Sequence, residues 1–100
     1  MEEKFFFYLA RCNDDSLYSS STNNLIEREK KHNKGEGSKY TRRYLPIKIV
    51  YAEEYNTRQK AVQRELQVKG WIKKKKENLI KYRHPNPNKI KSKQNYAHLT

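Results

Sequence analysis

The stretch "KFFFYLARCNDDSLYSSSTNNLIEREKKHN" (Lys4–Asn33) decides the architecture. Its opening, Lys4–Cys12, is rich in aromatics and reads as a strand. Side chains alternate across a strand, so Phe5, Phe7 and Leu9 share one face and Phe6, Tyr8 and Ala10 the other. The polar cluster Asn13–Ser16 is a turn. "LYSSS" (Leu17–Ser21) then forms a short second strand, most simply antiparallel to the first as a hairpin. If those strands pair, the phenols of Tyr8 and Tyr18 can reach one patch of surface. A helix follows over about Asn24–Asn33. Asn24 can cap it, Glu27 is the reciprocal partner, and Gly35 supplies the stop.

Working outward, "KGEGSKYTRRYLP" (Lys34–Pro46) is a basic, glycine-containing loop, and "IKIVYAEEY" (Ile47–Tyr55) is the third strand. A second helix starts near Asn56, with Gln59 in the capping-box position, and runs to about Lys69 before Gly70 interrupts it. "WIKKKKENLIKY" (Trp71–Tyr82) reads as a third helix, apolar at Trp71, Ile72, Leu79 and Ile80. Residues 84–100, with two prolines, three lysines and no acid, read as a loose basic tail outside a domain of residues 1–83. The order strand, strand, helix, strand, helix, helix predicts an α+β fold. Its parts are a small three-stranded antiparallel sheet flanked by three helices.

A chain of 100 residues makes one domain with one modest core. No apolar run is long enough to span a membrane. The opening "MEEKFFFYLARC" has acids and a short apolar run, unlike a secretion signal, and the single cysteine, Cys12, fits a reducing cytoplasm. The formal charge of +12 is the loudest bulk signal. It points to a polyanion, nucleic acid ahead of an anionic membrane surface. Cys12, His32, His84 and His98 lack the paired spacing of a zinc site, and the serine run lacks the glycines of a nucleophile elbow.

Several polar residues fall where apolar ones belong. Leu25, Arg28, Glu29 and His32 share one face of the first helix, the face that should meet the sheet. Ala61, Val62, Leu66 and Val68 form the apolar side of the second helix, with Glu65 inside that stripe. A carboxylate there should be paired or hold a metal, because an unpaired buried charge is costly. An arginine, a histidine, a glutamate and two tyrosines in a basic protein suit a phosphodiester site. Arg28 would stabilise charge developing on phosphorus, and Glu65 would hold a hard divalent cation through oxygen. A tyrosine acting on water is handicapped, since a free phenol is only about 0.1% ionised at neutral pH. The site would have to lower that value with Arg28 or the cation, which predicts better activity at alkaline pH.

These residues carry a resemblance. From roughly Phe5 to Lys81 the sequence resembles the GIY-YIG nuclease family, in particular its small stand-alone bacterial members. The first signature triplet falls on Phe6-Phe7-Tyr8 and the second on Tyr18-Ser19-Ser20. The arginine and the histidine four residues later fall on Arg28 and His32. "HNKGEGSKYTRR" looks like the family's basic loop, and "AVQRELQVKGWIKKKKENLI" is similar to its closing helices, with the metal-binding glutamate at Glu65. The resemblance implies divalent-metal-dependent hydrolysis of DNA phosphodiesters with Mg²⁺ or Mn²⁺, in repair, recombination or processing, by a cytoplasmic, nucleoid-associated protein. It makes Tyr8 the general base, directly or through a water, and Tyr18 the group that positions the nucleophile. Arg28 stabilises the transition state, His32 supports the phosphate or the tyrosine, and Lys39, Tyr40 and Arg42 contact the DNA backbone.

Two departures matter: the first triplet lacks glycine and isoleucine, as is common in the stand-alone branch, and the second lacks its glycine. Ser20 stands where the family has glycine. If that backbone needs φ > 0, a β-carbon costs roughly 1–2 kcal/mol. If the glycine only leaves room for substrate, the serine could obstruct it or donate a hydrogen bond. Three functions follow. The leading one is an endonuclease that nicks DNA, branched or damaged, with a protein partner supplying any specificity. The second is a nucleic-acid-binding module silenced at Ser20. The third is a basic protein that docks on RNA or ribosomes through Lys73–Lys76 and the tail.

Overall fold

A computed structural model of the chain describes residues 3–83; the basic tail assigned to residues 84–100 lies outside them. The elements run β1 (Phe5–Arg11), β2 (Leu17–Thr22), α1 (Leu25–Asn33), α2 (Lys39–Arg42), β3 (Lys48–Tyr55), α3 (Arg58–Lys69) and α4 (Lys73–Tyr82). The three strands form an antiparallel sheet in the order β2-β1-β3, as the α+β reading requires. Three helices match the expected ones within two or three residues. The fourth, α2, is a single turn inside the segment read as loop. The Ser38 side chain caps it by accepting from Thr41 N at 3.1 Å.

Local chemistry explains the boundaries. Asn24 caps α1 by accepting from Glu27 N at 3.0 Å. At the other end Gly35 takes φ +81°, and the N–H groups of Gly35 and Glu36 return to the carbonyls of His32 and Lys31. That paired closure satisfies orphan carbonyls of the last turn and needs a residue tolerant of left-handed backbone. On α3 the cap is Thr57, which accepts from Lys60 N, rather than Asn56.

Both faces of the sheet are covered. On one, Tyr8, Ala10, Cys12, Ile49 and Ala52 pack with Leu25 of α1 and Ile47. On the other, Phe7, Leu9 and Tyr51 pack with Val68 of α3 and Leu79 of α4. Each large apolar side chain buried this way contributes roughly 1.5–3 kcal/mol. The alternation read for β1 therefore holds. On β3 it is interrupted, because Leu9 pairs with Tyr51 but Ala10 pairs with Ile49, leaving Val50 as a bulge. The extra residue sends Ile49 and Tyr51 to opposite faces. Leu66 and Ile72, read as apolar-face residues, are exposed instead.

Candidate active site

The polar row of α1 meets the sheet as its spacing predicts, and each member has a partner there. Leu25 joins the core. Glu29 Oε2 accepts from Ile49 N at 2.7 Å, beside the bulge in β3. Arg28 Nε donates to the Tyr8 phenol oxygen at 3.3 Å, and His32 Nε2 lies 3.0 Å from the same oxygen. His32 is fully buried, an unusual place for an imidazole without a partner; its Nδ1 lies 2.9 Å from Thr41 Oγ1.

The hairpin register brings the tyrosines together. Tyr8 pairs with Ser20 and Ala10 with Tyr18, so the two phenols are diagonal neighbours on one face. Tyr18 turns its ring edge-on to His32, with centroids 5.6 Å apart, and stacks on Tyr40 at 6.1 Å. Tyr40 is thus part of the wall of the site, and its hydroxyl donates to Ser16 Oγ at 2.7 Å. Lys39 and Arg42 are exposed on the same helical turn. Beside Arg28 a cavity of about 140 Å³ opens between Thr22, Asn23, Asn24, Glu27 and Lys31.

Glu65 is not in contact with these four. It comes from α3, on the opposite face of the sheet, and reaches the β2 edge, where Ser21 Oγ donates to Glu65 Oε1 at 2.9 Å. Lys69 Nζ lies 3.5 Å from the other oxygen. The serine run explains itself through alternation. Ser20 points to the Tyr8 side and Ser21 to the Glu65 side, so β2 is the partition between the two halves. Ser20 is in regular strand pairing, and positive φ among the described non-glycine residues occurs only at Asp15 and Arg83. The strain considered for a serine at this position therefore does not arise.

Burial pushes the Tyr8 phenol above its ordinary value of 10.0, although hydrogen bonds from Arg28 and then Ser20 pull it back. The lowering required of the site is therefore present in its donors but outweighed by desolvation. Burial, and next the charge of Arg28, hold His32 below its ordinary 6.5, so it is neutral at pH 7. Among the described residues no three acidic, cysteine or histidine side chains converge as a metal cage. One carboxylate with an adjacent hydroxyl suits a hard cation that retains most of its waters, and does not suit zinc.

Sequence reasoning missed Ser21, Gly37, Ser38 and Thr41. The alternation rule could have found Ser21. The other three lie in a segment without periodicity.

Comparisons with known proteins identify the family. Residues 4–78 match the GIY-YIG catalytic domain. A UPF0213 protein of Bacillus velezensis is 47% identical over 75 residues, 75% of this chain and 76% of that protein. One of Staphylococcus aureus is 40% identical over 81 residues, 81% of this chain and 99% of that one. The solution structure of a UPF0213 protein from Bacillus halodurans, 31% identical, aligns with a TM-score of 0.52 over 92% of this chain and 99% of that chain. That of a protein from E. faecalis, 34% identical, gives 0.54 over 81% and 88%. The chain belongs to the GIY-YIG family, among its small single-domain UPF0213 relatives.

Proposed function

We propose that this protein is a divalent-metal-dependent endonuclease that nicks DNA. One observation carries the reading: a single phenol oxygen, Tyr8 Oη, meets both a cation, Arg28, and a neutral base, His32, at the floor of a basic face. Water attacks phosphorus and passes its proton to the Tyr8 oxygen, directly or through a second water, while the Tyr8 proton moves to His32 Nε2. The bond from phosphorus to the leaving oxygen breaks, that oxygen takes a proton from solvent, and Arg28 meets the charge on the phosphoryl oxygens. Burial spreads the phenol and imidazole further apart than their ordinary values, so the proton moves in the transition state rather than at rest.

Glu65 and Ser21 would hold Mg²⁺ or Mn²⁺. When bound, that ion supplies Lewis-acid polarisation of the phosphate and a countercharge for the leaving oxygen. Tyr18 positions the nucleophile. Lys39 and Arg42 grip the backbone, and binding weakens steeply with salt as counterions are released. Ser20 supports catalysis, because its hydroxyl serves the Tyr8 oxygen that glycine would leave with one donor fewer. The role falls in repair, recombination or processing, in the cytoplasm with the nucleoid.

The test is nicking of supercoiled plasmid and of a branched DNA at alkaline pH, with Mg²⁺ or chelator. Arg28→Ala and Glu65→Ala should each lower the rate at least roughly 100-fold. Salt-sensitive binding without cleavage by the unaltered protein would favour a binding module, and preference for RNA a docking role.

A further inference from the structure

The loop after α1 carries more than positive charge. His32 has both ring nitrogens engaged, Nε2 with Tyr8 Oη and Nδ1 with Thr41 Oγ1. A neutral imidazole has one N–H, so its location decides whether His32 can accept a proton from Tyr8. The Thr41 hydroxyl resolves this. Its one proton goes to the Ser38 carbonyl at 3.1 Å, an atom that only accepts. The Ser38 hydroxyl lies 3.1 Å from the same Thr41 oxygen and takes the Thr41 N–H, which closes the turn. With its proton committed, Thr41 Oγ1 meets Nδ1 as an acceptor, and the imidazole proton sits on Nδ1. Nε2 is then a bare lone pair facing the phenol. The Tyr8 side agrees, because its oxygen accepts from Arg28 Nε and keeps its own proton for Nε2.

Gly37 completes the cradle. A β-carbon there would lie 2.0 Å from His32 Nδ1 and 2.6 Å from Cε1. The ring therefore rests on bare backbone, and any side chain at 37 would drive it from Thr41.

We infer that Thr41, backed by Ser38 and with Gly37 against the ring, is a positioning residue that fixes the Nδ1–H tautomer of His32 and keeps Nε2 open to the Tyr8 proton. This deepens the nuclease reading and rests on it for the catalytic consequence. Proton balance is simple. Transfer from Tyr8 makes His32 an imidazolium, Nδ1–H stays on Thr41, and the Nε2 proton leaves after the strand is cut. Thr41 touches no substrate.

Ring ¹⁵N shifts of the full chain at neutral pH, with His32 assigned by its loss in His32→Gln, read the tautomer without any cleavage assay. The unaltered protein and Thr41→Ser should carry the proton on Nδ1. Thr41→Val, with its fold checked by thermal unfolding, should populate the Nε2–H form. Its kcat should fall at least roughly tenfold with KM unchanged, while Thr41→Ser retains most of the rate. Gly37→Ala should lose more kcat than Thr41→Val. A proton on Nε2 in the unaltered protein overturns the inference. So does a Thr41→Val protein with unchanged tautomer, or with a shifted tautomer and full kcat. If the tautomers behave as stated but no DNA is cut, the positioning stands and the nuclease reading alone fails.

Discussion

The two faces of the sheet each bury a network built around one arginine, and they are opposites in electrostatic terms. On the α3/α4 face, Arg64 donates through Nε and Nη2 to Glu53 at 2.9 and 3.1 Å, and the phenols of Tyr51 and Tyr55 donate to the same carboxylate at 2.6 Å each. The guanidinium also lies over Trp71 at 5.2 Å. On the α1 face, Arg28 donates to a neutral phenol, and among the described residues no carboxylate lies within ion-pairing reach of it. The first network is closed and can only hold the protein together. The second leaves a positive charge beside a cavity without a carboxylate partner among the described residues. Two arginines packed on opposite faces of one small sheet thus differ in whether a carboxylate neutralises them.

Crossing the two networks gives the largest expected effect. Glu53→Ala takes the carboxylate from a half-buried guanidinium and should destabilise the fold by about 3–5 kcal/mol, measured by denaturant unfolding. Arg28→Ala should leave the unfolding midpoint nearly unchanged while removing cleavage. A stable Glu53→Ala protein, or an unstable Arg28→Ala one, would erase the distinction.

The next effect is on pH. Burial depresses His32, so the unfolded chain takes up a proton, below its ordinary value of 6.5, that the folded one refuses. Stability should therefore be level above that pH and fall as pH drops below it, a slope that His32→Gln flattens. Tyr8 is shifted upward, so cleavage should keep rising into the alkaline range rather than level off near neutrality.

A smaller difference comes from Ser20→Gly. It restores the family residue, yet it takes a donor from the Tyr8 oxygen and adds backbone freedom to a strand. Stability should drop by about 0.5–1 kcal/mol, and the alkaline rise in rate should move to higher pH. Recovery of activity instead would show that Ser20 obstructs the substrate. Smallest is Lys69→Ala. It removes an exposed pair with Glu65 worth at most about 0.5 kcal/mol, so the unfolding midpoint should barely move while the Mg²⁺ concentration needed for half-maximal rate falls slightly.

Much of this was legible in the residues. Phe7 and Tyr8 could be assigned to opposite faces because a strand has a period of two, and Arg28 and His32 to one face because they are one helical turn apart. Asn24 and Gly35 marked the ends of α1 through their own chemistry. The Glu53 network was also within reach, since Tyr51, Glu53 and Tyr55 alternate along β3. What escaped has no period. The bulge at Val50 breaks alternation within β3. Nothing distinguishes Ser38-Lys39-Tyr40-Thr41 from loop until the Ser38 cap is seen closing the turn. Glu65 looked like a buried carboxylate inside an apolar stripe, but Leu66 beside it faces solvent and Ser21 holds it at a strand edge.

The partition of the candidate site by β2 has a last consequence. Arg28, Tyr8 and Glu65 belong to three different elements, and the strand between the halves carries Ser20 for one and Ser21 for the other. A slip of β2 by one residue would send both hydroxyls to the wrong side at once. The Tyr8–Arg28 half comes from β1, β2 and α1 alone, whereas Glu65 is supplied by the distant α3, so the two halves come together only when both helical layers have docked on the sheet. A chain that is still partly folded can therefore hold the Tyr8 half without the Glu65 half, and the candidate site is complete only in the finished sheet.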